Sequence, residues 1–201
     1  SVVVPVRNEA PNIAPLIGEI TAALAAIPHE IVYVDDGSSD ATLLELKAAR
    51  SSGAPLRFLR HKTSCGQSAA VITGVKAAHG HWIATLDGDG QNDPADIPRM
   101  LARAVAEEAQ GKRILIAGHR VNRRDTATKR ISSRFANRFR AWMLRDATPD
   151  TGCGLKVFPR ALFLELPHFD HMHRFLPALT LRAGGVVISE PVNHRPRVRG
   201  T

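Results

Sequence analysis

Apolar positions along this chain fall into two alternating rhythms. Short runs rich in aliphatic residues recur at Val2–Val4, Glu30–Val34, Leu56–Leu59, Trp82–Leu86 and Ile114–Ala117. Runs of that length, bounded by turn residues, predict buried strands. Between them lie stretches of helical spacing. The first, about Pro11–Ile27, sets Ile13, Leu16, Ile17, Ile20 and Leu24 on one face. Others cover Asp40–Arg50, Gln67–Ala78 and Pro94 to about Gln110, where the proline suits a first helical turn. Strands alternating with helices predict an α/β fold, a mainly parallel Rossmann-like sheet with helices on both faces. Ligands of such sheets sit beyond the carboxyl ends of the strands. Four polar clusters fall at those ends: Arg7-Asn8-Glu9, Asp35-Asp36, His61 to Gln67, and Asp87 to Gln91. Their convergence predicts one nucleotide-sized site.

After Gly118 the rhythm changes. Arg120 to Arg145 holds nine basic residues and one acid, Asp125. Ile131, Phe135, Phe139 and Trp142 have helical spacing, with Arg130, Arg134 and Arg138 on a second stripe. A helix over about 127–144 suits either a membrane interface or a packed helix with a solvated basic face. Beyond Thr148 short strands mix with helical pieces, ending in the basic tail from His194 to Arg199. The expected organisation is one domain over 1–201, with a nucleotide-binding part at 1–118 and an acceptor-side part at 119–201. The chain opens inside an apolar run and stops at Gly200-Thr201, so both ends are expected to be cut.

Charge narrows the partners. Lys plus Arg number 27 against 19 Asp plus Glu, a formal charge of +8. That excess favours nucleic acid, phosphorylated small molecules or an anionic membrane. Aromatics are only 5% and form no stacking platform interleaved with basic residues, which argues against nucleic acid. The two cysteines, Cys65 and Cys153, indicate no disulfide framework. No Cys/His group has zinc-site spacing, so both read as reduced thiols in a cytosolic setting. No run approaches the ~18 apolar residues of a membrane span.

The acidic clusters carry the chemistry. Asp87-Gly88-Asp89 follows a strand directly, so two carboxylates one residue apart can face a cleft. Hard cations such as Mg²⁺ or Mn²⁺ take one or two carboxylates plus substrate phosphates. Gly88 keeps such a turn open for a diphosphate, and Gln91 offers an amide oxygen. A solvated turn is the competing reading. Asp35 and Asp36 can accept from base N–H groups or ribose hydroxyls. Alternatively, Ser38 or Ser39 simply starts the next helix as its cap. Pro5 stiffens the exit of the first strand, and Arg7 and Glu9 are placed to reach a base or ribose.

Together these motifs resemble the catalytic domain of glycosyltransferase family 2, in particular the polyprenyl-phosphate glycosyltransferases related to dolichol-phosphate mannose synthase. The likeness runs in order through SVVVPVRNE at Ser1–Glu9, IVYVDDGS at Ile31–Ser38, CGQSAA at Cys65–Ala70, ATLDGDGQNDP at Ala84–Pro94, DTGCGLKVF at Asp150–Phe158 and HRPRVRGT at His194–Thr201. Ser64 departs from the pattern, standing where the family often has Asn. The resemblance implies a GT-A sheet and an inverting, metal-dependent transfer from a UDP- or GDP-sugar to a polyprenyl phosphate. The setting it implies is the inner face of a membrane. It also implies Asp89 and Gln91 as metal ligands, with Asp87 assisting nucleotide and metal. Asp150 becomes an acceptor-side candidate, and Arg120, Arg134, Arg195 and Arg197 become phosphate binders, since guanidinium groups chelate phosphate bidentately. A saccharide-hydroxyl acceptor is the nearest alternative; it needs a carboxylate base, for which Asp150 is the first candidate. A nucleotidyltransferase fits less well, because Pro5 to Glu9 has no glycine.

Overall fold

The computed structural model describes residues 1–120 and 148–197. Seven strands, β1 (Val2–Val6), β2 (Ile31–Asp35), β3 (Leu56–Arg60), β4 (Trp82–Thr85), β5 (Ile114–Arg120), β6 (Lys156–Pro159) and β7 (Val186–Val192), form one sheet in the order β3-β2-β1-β4-β6-β5-β7. Helices α1 (Ala10–Ala23), α2 (Thr42–Ser51), α3 (Gln67–Ala77), α4 (Ile97–Glu108), α5 (Arg160–Glu165) and α6 (Leu176–Arg182) cover it. The sheet is parallel except for β6, which runs antiparallel to both β4 and β5. The five strands expected in the first part are all present. The basic helix expected near 127–144, Arg134 with it, and the tail beyond 197 lie outside the described residues.

Side-chain alternation sorts the core onto two faces. Val2, Val4 and Val6 of β1 pack with Ile13, Leu16, Ile20 and Met100 on one face, whereas Val3 packs with Val71, Val75, Phe158 and Leu176 on the other. All five apolar positions assigned to one face of α1 are buried. The helix stops at Ala23 rather than continuing to Ile27, and Leu24 and Ile27 still pack against the core. On the other face Gly74 lets α3 settle onto β1: a Cβ there would meet Val3 Cγ1 at 2.4 Å.

Chain direction creates the cleft. From β1 the connections run outward through β2 to β3, then return to β4 on the other side of β1. Such a reversal leaves a crevice at the carboxyl ends of the two central strands. β1 pairs with β4 only through Val2 and Val3, so the strands have parted by Pro5. The segments leaving β1 and β4 therefore face each other across an open gap.

Candidate active site

That gap is a cavity of about 490 Å³ lined by Pro5, Arg7, Glu9, Asp36, Asp87, Gly88 and Asp89. Three segments far apart in sequence thus reach one place. Gly88 makes the approach possible, because a Cβ there would sit 2.3 Å from Val6 Cγ1 and 3.0 Å from the Pro5 carbonyl oxygen. The Asp87 N–H donates to Asn92 Oδ1 at 3.2 Å, and the Gln91 N–H to Asp89 Oδ1 at 3.1 Å, which shapes the turn after β4. Gly154 lies directly against the Asp87 carboxylate.

Asp87 sits under opposing electrostatic influences. Burial drives its carboxyl above the usual carboxylate range and the neighbouring Asp89 adds to that, while Lys156, Arg120 and a 2.7 Å hydrogen bond from Gln67 Nε2 work the other way. Two crowded carboxylates with oxygen donors alone are the set that Mg²⁺ or Mn²⁺ accepts, and such an ion would relieve both charges. Gln91 stands beside this turn rather than on the cavity wall. Its side-chain amide donates to the Arg195 carbonyl at 3.3 Å, because an Asn92–His194 bridge lays the tail along this turn. That bond uses the amide nitrogen and leaves the Gln91 amide oxygen as a candidate ligand beside Asp87 and Asp89.

The Asp35-Asp36 pair divides its labour. Asp35 is fully buried and away from the cavity; its carboxylate accepts from the Ser38 N–H at 2.8 Å and pairs with Arg60 at 3.2 Å. The expected nucleotide contact is corrected for this residue: strand alternation turns its side chain into the turn that starts the next loop. Asp36 does face the cavity. One oxygen meets His61 Nδ1 at 2.7 Å and the Cys65 N–H at 2.8 Å; the other accepts from Ser64 Oγ at 2.7 Å and the Gly66 N–H at 2.9 Å. Burial works to raise this carboxyl, but the hydrogen bonds, led by the Cys65 N–H, hold it at about 2. A depressed carboxylate stabilises the fold above its unfolded pKa of ~3.9, and that contribution disappears as pH falls towards 2. Asp36→Asn is therefore expected to lower unfolding free energy by roughly 2 kcal/mol at pH 6. Urea titrations should show the gap from wild type closing between about pH 4 and pH 2.

The remaining candidates are engaged with each other rather than aimed at the cavity. Arg120 grips Asp150 through two bonds, Nε to Oδ2 at 2.6 Å and Nη2 to Oδ1 at 2.8 Å. Neither lines the cavity, so Asp150 is not placed as a base there and Arg120 is not placed as a free phosphate clamp. Breaking this mostly buried pair leaves a charge unmatched. Asp150→Ala is expected to destabilise the fold by about 3 kcal/mol, read as a lowered thermal midpoint. Arg195 pairs with Glu19 at 2.9 Å and Asp93 at 2.6 Å, and Arg197 pairs with Glu9. Both arginines, expected on phosphates, here tie the tail to α1 and to the two acidic loops. Glu9 also accepts from Asn12 Nδ2 at 2.7 Å. Its carboxyl is raised, chiefly by burial, with Asp89 adding to the shift and Asn12 and Arg197 opposing it.

Lys156, His173 and Arg174 line the same cavity without having been singled out in the sequence. Lys156 begins β6 and is 3% exposed, its ammonium donating to the Cys153 carbonyl and, at 3.4 Å, to that of Thr151. Burial pulls its pKa down, against the pull of Cys153, Asp87 and Asp150. A lysine opening the run Lys-Val-Phe was a legible signal, since charges are seldom placed inside strands. His173, by contrast, is about a hundred residues from Ser68, whose hydroxyl lies 2.7 Å from its Nδ1. Burial first, then Lys156 and Arg174, lowers His173 to about 4, which keeps the ring neutral at pH 7.

Comparison with known proteins finds relatives by sequence and by fold. A profile described as glycosyl transferase family 2 matches residues 1–166. A dodecaprenyl-phosphate galacturonate synthase of Rhizobium johnstonii is 37% identical over all of this chain and 60% of its own length. An undecaprenyl-phosphate 4-deoxy-4-formamido-L-arabinose transferase of Enterobacter is 34% identical, again over the whole chain and 61% of the relative. The chain thus spans about three fifths of the length of these curated relatives. Among solved structures, Mycobacterium tuberculosis glucosyl-3-phosphoglycerate synthase superposes with TM-score 0.74 at 22% identity, covering 97% of this chain and 72% of that one. The mannosyltransferase PcManGT of Pyrobaculum calidifontis, solved with GDP-Man and Mn²⁺, gives 0.66 at 22% identity, covering 94% and 54%. The mostly parallel seven-stranded sheet is the GT-A arrangement of these structures, and the chain belongs to glycosyl transferase family 2.

Proposed function

We propose that this chain carries the donor site of an inverting, metal-dependent enzyme that moves a sugar from a UDP- or GDP-sugar to a polyprenyl phosphate at a membrane surface. The observation that carries the reading is the meeting of Pro5, Arg7, Glu9 and Asp36 with the Asp87-Gly88-Asp89 turn in one cavity of about 490 Å³. The β1 and Asp36 side takes the nucleoside, and the turn after β4 takes the diphosphate. A Mg²⁺ or Mn²⁺ ion held by Asp89 and Asp87 would neutralise the departing diphosphate as a Lewis acid. Lys156 shares this wall with Asp87, and Gln67 donates a hydrogen bond to that carboxylate.

The placement of Asp150 supports a lipid phosphate as the acceptor. A lipid phosphate is already anionic near neutral pH and needs orientation more than deprotonation. A sugar hydroxyl would need a free carboxylate. Asp150, the first candidate for it, has both oxygens on Arg120 and lies off the cavity. The names of the two curated relatives, both polyprenyl-phosphate enzymes, point the same way. The basic stretch 120–145 supports attachment to an anionic surface. No helix among the described residues is long and apolar enough to cross a membrane.

The test is calorimetric titration of UDP and GDP with Mn²⁺ and with chelator, followed by turnover with polyprenyl phosphate and with the free polyprenol. One nucleotide should bind only with the metal, and only the phosphorylated lipid should accept sugar. Binding of neither nucleotide under any metal condition would defeat the donor-site reading. Equal turnover of the free alcohol would defeat the acceptor assignment.

A further inference from the structure

Beside the donor cavity the loop after β3 assembles a second set of ligating atoms. One ligand atom each from Asp36, His61 and Cys65 lie within 4.8 Å of one another. Asp36 is buried, His61 is 15% exposed in its side chain and Cys65 faces solvent. We propose that these three residues form a site for a thiophilic divalent cation of the zinc class, separate from the carboxylate pair Asp87 and Asp89, and that filling it ties up the Asp36 carboxylate that lines the donor cavity.

The donor set decides the metal. Carboxylate oxygen, imidazole nitrogen and thiolate sulfur suit Zn²⁺, whereas Mg²⁺ and Mn²⁺ prefer oxygen throughout. Three protein ligands leave a fourth position, on the solvent side where Cys65 lies, for water. Asp36 and a Cys65 thiolate together balance the two charges of the ion, and the thiol proton is released to solvent.

The surrounding hydrogen bonds accommodate the exchange. His61 Nδ1 faces Asp36 at 2.7 Å, and its Nε2 lies 3.0 Å from Thr73 Oγ1. With the cation on Nδ1, the ring proton moves to Nε2 and is donated to Thr73, the kind of supporting bond that ligating histidines make. Tetrahedral bonds of usual length hold nitrogen and oxygen roughly 3.3 Å apart, so the ring needs to withdraw by about 0.6 Å. Asp36 keeps its bonds from the Cys65 N–H, Ser64 Oγ and the Gly66 N–H while the cation replaces the one from His61. The Cys65 thiol, now donating to the Thr63 carbonyl at 3.3 Å, is exposed and free to turn inward.

The consequence for the donor rests on the function proposed above, since Asp36 lines the cavity assigned to the nucleotide. The metal site itself does not depend on that reading, and the experiment separates the two. Cobalt(II) added to the metal-free protein should produce a thiolate-to-metal charge-transfer band in wild type and in Asp89→Ala, displaced by zinc and absent in Cys65→Ser. His61→Ala should weaken cobalt binding by at least about tenfold. No band in wild type, or an undiminished band in Cys65→Ser arising from the buried Cys153, overturns the site. In the second arm, zinc at ten times its dissociation constant should weaken Mn²⁺-supported nucleotide binding about tenfold in wild type and leave Cys65→Ser unchanged. A cobalt band with no such competition overturns the coupling of the metal site to the donor cavity. If no nucleotide binds at all, the donor-site reading fails and the cobalt arm still decides the metal site.

Discussion

Asp89→Ala is expected to reduce metal-supported nucleotide affinity by more than about 100-fold while the protein stays folded. Residues that merely orient a metal ligand are worth 10–100-fold, and Asp89 is proposed as a ligand itself. The turn bearing it survives the loss: Gly88 remains seated on β1, the Asp87 N–H keeps Asn92, and only the 3.1 Å bond to the Gln91 N–H disappears. Removing Asp89 also removes a like charge beside Asp87, so the Asp87 carboxyl should ionise more readily in the variant. Titration with Mn²⁺ and the preferred nucleotide checks the affinity, and circular dichroism checks the fold. Undiminished metal-supported binding in Asp89→Ala would remove the turn after β4 from the donor site.

Gly154→Ala should have a comparable effect without replacing any charged group. A Cβ at this position falls 2.2 Å from Asp87 Oδ2 and 2.4 Å from Oδ1, well inside contact distance. The backbone around it has little room to yield, because the Gly154 carbonyl accepts a 2.7 Å hydrogen bond from Thr85 Oγ1 in the adjoining strand segment. The Asp87 side chain must rotate away, giving up Gln67 and its place on the cavity wall. A displacement of about 1 Å in a catalytic group can lower rate about 100-fold. We therefore expect Gly154→Ala to match Asp87→Ala in nucleotide affinity and turnover, with a thermal midpoint close to wild type. Wild-type affinity in Gly154→Ala would mean that the position of Asp87 does not matter to the donor.

Much of the scaffold was legible before any coordinates. The β1 run Val-Val-Val and the spacing of Ile13, Leu16, Ile17, Ile20 and Leu24 predict a buried strand and a one-sided helix, because burial imposes periods of two and 3.6 on any such elements. The polar clusters at strand ends pointed to the cavity for the same reason: parallel α/β connections bring successive strand ends to one edge. The Asp87-Gly88-Asp89 turn and the Pro5 to Glu9 loop are local patterns visible in the chain itself. β6 was not legible as an antiparallel strand wedged between β4 and β5, since direction within a sheet leaves no mark in a four-residue run.

Side-chain partners were beyond the sequence. Asp35 and Asp36 are adjacent and chemically identical, yet alternation along the strand end buries one beside Arg60 and presents the other to the cavity. The family resemblance made Arg120, Arg195 and Arg197 candidate phosphate binders; folding places acidic side chains against all three. Spacing rules for zinc ligands found nothing, because Asp36 lies 25 residues from His61 and becomes its neighbour only through the β2–β3 pairing. The sequence by itself determined the periodic elements and the acidic turn, which depend on local burial and backbone geometry. Only the tertiary structure decided which charges face the cavity and which neutralise one another, because that choice depends on distances between strands that the chain order does not contain.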